Sequence, residues 1–205
     1  MEEVRERLRR EKLAARNELT PAELKRKSRQ IAARLFALPE FKNAETIMFY
    51  VSFTKEVNTH GMISAALKLN KKVVVPKIAR RGSLTIKEIK DFKRDLKKGC
   101  FGILEPRHSK RRSTDKRKID LAIVPGICFD LEKGARLGFG RGYYDRFLGS
   151  CRPPQKLPRL KSRRTGPEFI GLAFENQLTK KIPCTRQDVH MDKIITEKRV
   201  IEFAH

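Results

Sequence analysis

The run ARLGFGRGYYDRFL, Ala135 to Leu148, concentrates residue types suited to phosphate chemistry. Gly138, Gly140 and Gly142 alternate with Phe139 and Arg141, and Tyr143, Tyr144 and Asp145 follow at once. A backbone without Cβ atoms can lie close against an anion. A helix starting near Arg141 to Tyr144 would turn free N–H groups and its positive pole toward the same anion. Arg136 and Arg141 would neutralise it. Asp145 would be repelled by a phosphate unless a cation lay between them, and magnesium typically takes one or two carboxylates, waters and phosphate oxygens. The competing reading is a tight glycine turn over packed tyrosines, with Asp145 capping its helix. Asp188 and Asp192, in TRQDVHMDKI, are the other candidate carboxylates, and position alone does not choose between them.

Two familiar phosphate loops are excluded. There is no GxxxxGK[ST], and the glycines are spaced GxGxG rather than GxGxxG. No acidic residue stands roughly 20 residues further on, as a dinucleotide site requires.

These residues need elements to hold them. Glu2 to about Asn17 is helical in character, with Val4, Leu8 and Leu13 as a sparse apolar stripe. Thr20 as N-cap, Pro21 at the first helical position and Glu23 closing a capping box begin a second helix, which runs to about Ala37 and stops before Pro39. Short apolar runs then alternate with helices. TIMFYV (46–51), KKVVVPKI (71–78), SLTIKEI (83–89), IDLAIVPGICF (119–129), PEFIGLAF (167–174) and KIITEKRVI (193–201) read as strands, and HGMISAALKL as a helix. The pattern predicts an α/β fold, a single domain over residues 1–205. Its expected form is a Rossmann-like three-layer α/β/α arrangement, with a mostly parallel central sheet and an N-terminal helical pair. In such sheets ligands sit beyond the carboxyl ends of strands, where the glycine run falls.

The 205 residues carry a formal charge of +24, which would draw any polyanion, from nucleic acid to nucleotides and polyglutamylated small molecules. The basic stretches Arg107 to Lys118 and Arg152 to Arg164 lack interleaved aromatics and read as solvated loops, not a nucleic-acid surface. Cys100, Cys128, Cys151 and Cys184 form no CxxC pair, and the histidines are equally scattered, so no zinc framework is visible. A charged N-terminus and the lack of a long apolar run predict a cytoplasmic protein without signal peptide or membrane span.

The segment VPGICFDLEKGARLGFGRGYYDRFL resembles the signature of the 5-formyltetrahydrofolate cyclo-ligases, also called methenyltetrahydrofolate synthetases. EVNT (56–59), VVVPKI, GCFGILEP (99–106) and DVHMDKIITE (188–197) fall in the family's order, so the resemblance covers almost the whole chain. It implies an ATP-dependent ring closure: ATP phosphorylates the formyl oxygen of 5-formyltetrahydrofolate, N10 attacks the activated carbon, and phosphate leaves. It also implies magnesium, the small-molecule substrates ATP and 5-formyltetrahydrofolate, with or without a polyglutamate tail, and no specific nucleic-acid or membrane partner; a monomer is expected.

Residue by residue, the resemblance places ATP against Arg5, Arg9 and the run Arg136, Leu137, Gly138, Phe139, Gly140, Arg141, Gly142, Tyr143 and Tyr144. The folate would meet Val51, Glu56 and Phe139 to Tyr143. Arg136 and Arg141 would stabilise phosphoryl transfer, and Asp145 and Asp188 would hold magnesium. Glu56 would accept hydrogen bonds from the pterin's donor edge; taken alone it reads as an exposed charge at a strand end. Three positions depart from the family pattern: Arg5 stands where lysine is common, Arg141 at a variable place, and Phe139 for a frequent tyrosine. Asp145→Ala is expected to impair turnover while leaving the fold largely intact. Gly140→Val is expected to be worse, by filling ligand space.

Overall fold

Helix boundaries follow local chemistry. Helix α1 spans Glu2–Asn17 and α2 spans Pro21–Ala37. At the start of α2 the Thr20 hydroxyl accepts from the Glu23 N–H, and the Glu23 carboxylate accepts from the Thr20 N–H at 2.9 Å, so the capping box forms. Pro39 ends α2 and opens α3, Pro39–Asn43. The computed structural model describes residues 1–79, 82–99, 102, 104–107, 114–152 and 166–204. Most of the two basic stretches, residues 108–113 and 153–165, therefore lies outside the described residues.

The chain continues through β1 (Thr46–Phe49), α4 (His60–Lys68), β2 (Lys72–Ile78), β3 (Leu84–Ile89), α5 (Phe92–Asp95), β4 (Leu96–Lys98) and β5 (Leu104–Pro106). Then come β6 (Leu121–Val124), β7 (Cys128–Asp130), β8 (Arg136–Leu137), α6 (Tyr143–Gly149), β9 (Glu168–Leu172), β10 (Leu178–Thr179), β11 (Lys193–Ile195) and β12 (Val200–Glu202). Seven strands form the main sheet in the order β12-β11-β9-β6-β1-β2-β3. Its inner pairs are parallel, and only the edge pairs β11/β12 and β2/β3 are antiparallel. β1 and β6 are buried at every position, as strands covered on both faces must be. Ile47, Phe49, Val73, Val75 and Ile123 pack with Ile31, Leu35, Phe41 and Ile63 of α2, α3 and α4, while Met48, Val74, Ala122 and Val124 pack with Phe147 and Leu148 of α6.

The five parallel strands lie in the order β2-β1-β6-β9-β11. Counted along the chain this is the doubly wound order 2-1-3-4-5, not the dinucleotide-fold order 3-2-1-4-5-6. The switch point, where successive connections leave in opposite directions, falls between β1 and β6.

Two expected strands differ. Ile119–Phe129 is broken at Pro125–Gly126, where β6 ends and β7 departs into a small sheet with β8 and β10. Pro125 has no N–H to extend a ladder. The fully buried Phe129 ring fills the space beside Gly126 and Gly171, where a Cβ on either would come within 2.5 Å of it. The span 193–201 is a hairpin, because the Thr196 hydroxyl accepts from the N–H groups of Lys198 and Arg199 and turns the chain. The N-terminal helices also part company: α2 covers the main sheet, whereas Leu8 of α1 packs with Cys128, Leu137 and Ile182 around the small one. Among the described residues no helix is long and apolar enough to cross a membrane.

Candidate active site

A buried carboxylate builds the platform for the glycine run. Asp130, 1% exposed, accepts from the N–H groups of Lys133 and Ala135 through Oδ1 and of Ile182 through Oδ2. This fixes the β7–β8 hairpin, with Gly134 at φ +69° in the left-handed region. Strand alternation in β8 then sends successive side chains to opposite sides. Leu137 enters the core cluster beneath, and Arg136 enters a cavity of about 1290 Å³.

That cavity opens at the switch point. Tyr50 and Val51 after β1, Pro125 to Ile127 after β6, the glycine loop and one face of α1 form its walls. Gln177 secures the loop after β6, its Nε2 donating to the carbonyls of Gly126 and Ile127 at 3.0 Å each. Of the residues singled out from sequence, Arg5, Arg9, Val51, Glu56, Arg136, Gly138 to Asp145 and Asp188 all line this one space; Leu137 does not. Asp192 lies elsewhere, accepting from Arg152 and from the Phe169 N–H.

The glycines are faced by guanidinium groups. A Cβ on Gly138 would find Arg136 Nη1 at 3.5 Å, and one on Gly140 would find Arg9 Nη2 at 3.7 Å. Gly140 and Gly142 have φ of +85° and +63°, conformations that favour glycine. Arg9 is held over the loop by donating from Nε to the Gly138 carbonyl at 3.0 Å and from Nη1 to Glu2 and Glu6. Phe139 stands 70% exposed at the rim, so the loop presents an apolar ring beside its polar backbone.

Arginines and carboxylates are interlocked. Arg136, its side chain 3% exposed, donates from Nη2 to Asp145 Oδ1 at 3.0 Å and lies over the Tyr144 ring. Burial lowers its pKa against the opposing pull of Asp145. Asp145 Oδ1 also accepts from the Val189 N–H. Arg5 holds Asp188 with two hydrogen bonds, at 2.8 and 3.2 Å. Burial raises the Asp188 carboxyl, but the bonds from Arg5 and Thr185 outweigh it and leave the pKa lowered. Arg141 is exposed, with one long contact to the Tyr143 hydroxyl at 3.4 Å. Among the described residues no group of three His, Cys, Asp or Glu could enclose a metal ion.

Glu56 is not an exposed strand-end charge. It is half-buried on the cavity wall, accepting from the Phe53 N–H at 3.0 Å, and burial raises its pKa against the influence of that bond and of Arg16. Sequence reasoning missed Arg16, Tyr50, Lys77 and Arg186 on the same walls. Arg16 had a signal: Arg5, Arg9, Leu13 and Arg16 recur at helical spacing and mark one face of α1. Tyr50 and Arg186, on loops, had none.

A sequence model of the 5-formyltetrahydrofolate cyclo-ligase family matches residues 1–197. A probable 5-formyltetrahydrofolate cyclo-ligase of Schizosaccharomyces pombe is 30% identical over 83% of this chain and 84% of its own. The Escherichia coli 5-formyltetrahydrofolate cyclo-ligase is 27% identical over 92% and 97%. The solved Aquifex aeolicus 5,10-methenyltetrahydrofolate synthetase superposes with a TM-score of 0.80 at 30% identity, covering 98% of this chain and 94% of that one. A Mycoplasma pneumoniae synthetase at 23% identity, with a TM-score of 0.69 over 94% and 98%, shares the fold. With its signature residues gathered around one cavity at the switch point of the sheet, the chain belongs to the 5-formyltetrahydrofolate cyclo-ligase family, whose members are ligases of folate metabolism.

Proposed function

We propose that this chain converts 5-formyltetrahydrofolate and ATP into 5,10-methenyltetrahydrofolate, ADP and phosphate, acting as a cytoplasmic monomer. The observation that carries the reading is the glycine run walled by guanidinium groups in the cavity that also holds Glu56. A formamide oxygen is a poor leaving group. Transfer of the γ-phosphoryl group to it makes a good one, and N10 then closes the ring as phosphate departs. The protein's task is alignment and charge neutralisation. Gly138 to Gly142 cup the triphosphate, Arg9 and Arg136 face it, and Arg141 reaches in from the exposed rim. Glu56 accepts from the pterin's N–H groups, with Val51 beside it, while Phe139 to Tyr143 lie where the two substrates meet.

The donor set suits magnesium. Asp145 and Asp188 both line the cavity and already take cationic partners, and Asp145 Oδ2 makes no hydrogen bond among the described residues. Asp145 would hold the ion directly, and Asp188 would join it as Arg5 exchanges that carboxylate for a phosphate oxygen. Bound there, magnesium would neutralise phosphate charge.

Purified protein with magnesium, ATP and 5-formyltetrahydrofolate should raise methenyl absorbance in step with ADP release. ADP release without methenyl formation, or no reaction at all, would remove the assignment. Glu56 supplies a second prediction. Only its carboxylate form accepts at both oxygens, as the two adjacent pterin donors require, so folate affinity should fall as pH drops through its raised pKa. In Glu56→Gln the affinity should be lower by about tenfold to a hundredfold and lose that pH dependence. The stability effect runs the other way. Glu56's contribution is fully present below pH 4.5, the ordinary value, and is lost as pH rises through the raised one. Calorimetric binding and melting curves across that range check both signs.

A further inference from the structure

Arg16 has no part in the reading above, yet it is a cation built to need a ligand. It is 4% exposed and lines the cavity, its Nε is buried without a hydrogen-bond partner, and its side chain makes no salt bridge among the described residues. Its electrostatic neighbours are Glu56 and Tyr50, and Tyr50 spends its hydroxyl on the Val57 carbonyl. Burying an unpaired guanidinium is unfavourable unless something else repays it. Arg16 is two turns on from Arg9, about 10 Å along the helix. One end of α1 thus serves the glycine loop, and Arg16 serves the end occupied by Glu56.

Glu56 and Arg16 adjoin without pairing, so both keep hydrogen-bonding capacity for a ligand. The pterin ring has an edge of matching polarity: the 2-amino group and N3–H are donors, and the 4-oxo oxygen beside them is an acceptor. A carboxylate takes the two donors and a neighbouring guanidinium takes the oxygen. We propose that Arg16 is a specificity-determining residue of the folate subsite, donating to the 4-oxo oxygen of the pterin while Glu56 accepts from the adjacent N–H groups. This rests on the reading that Glu56 faces the pterin.

The test compares wild type with Arg16→Met, which keeps an unbranched side chain, and Arg16→Lys, which keeps the charge without the planar fork. Binding is measured for 5-formyltetrahydrofolate and for 5-formyltetrahydropterin, which lacks the glutamate tail, together with the KM for ATP. Arg16→Met should weaken both pterin ligands by about tenfold or more, by the same factor, with the KM for ATP within about twofold of wild type. Arg16→Lys should recover part of the loss and keeps the comparison decisive if the Met variant does not fold. The ligand-free Met variant should melt no lower than wild type, because an unsatisfied charge has gone. Unchanged affinities, a loss confined to the ligand with the glutamate tail, a matching rise in the KM for ATP, or a drop in melting temperature would each overturn the role. A wild-type protein that binds no 5-formyltetrahydrofolate would remove the folate reading as well. Turnover by wild type beside a variant of unchanged affinity removes this inference alone.

Discussion

Asp145→Ala should lower the melting temperature by roughly 10 °C and reduce turnover by on the order of a hundredfold to a thousandfold. The first effect revises the expectation that the fold would hardly notice. Asp145 is the carboxylate paired with Arg136, whose side chain is 3% exposed. Removing one partner of a buried ion pair typically costs about 3–5 kcal/mol, because the other charge stays behind. Asp145 is itself 20% exposed, which lets solvent screen the change and favours the lower end. The second effect would come from the loss of the proposed cation ligand and of the anchor that pairs with Arg136. Asp145→Asn separates the two. Its Oδ1 can still accept from Arg136 and Val189, so most of the melting temperature should return, whereas turnover should stay low because the negative charge is gone. If Asp145→Asn turned over normally, neither the metal role nor the charge role would survive. Thermal denaturation and methenyl formation on the same preparations decide it.

Gly140→Val should weaken productive ATP binding by on the order of tenfold to a hundredfold, read as a rise in the KM for ATP. Two causes combine. The sequence pointed to filled ligand space, and the structure adds backbone strain, because φ at Gly140 is +85°. A β-branched residue is a steric outlier there. Crowding within the protein is the smaller matter, since the nearest atom to a Cβ is the end of a flexible arginine at 3.7 Å. Gly138→Ala is the control. Its Cβ would lie 3.5 Å from Arg136 with no positive φ to strain, so it tests obstruction alone and should cost less. Equal losses at the two positions would mean that backbone conformation is irrelevant to the loop's work.

Much of the scaffold is written locally. The spans of α1 and α2, the Thr20–Glu23 box and the buried runs of β1 and β6 depend on residues a few positions apart, and the structure reproduces them. Gly138, Gly140, Gly142 and Asp145 were legible for the same reason. A run of glycines before a helix, closed by a carboxylate, is a pattern contained within a few residues, and the structure sets it on the wall of one cavity. Where reading stopped at apolar content it went astray: Pro125–Gly126 and the Thr196 turn divide what look like continuous strands.

What the sequence by itself determined is most of the helical and apolar segments and the family signature carried by the glycine run. Only the tertiary structure decided which charges meet. Arg5 and Asp188 pair across a separation of 183 positions, Arg136 is buried while Arg141 is exposed, and Glu56 lies half-buried near an unpaired Arg16. No spacing rule reaches that far. The sheet order brings the ends of β1 and β6 together, and α1 closes over them. Burial then sets how strongly each charge is felt, and burial is a property of the assembled whole.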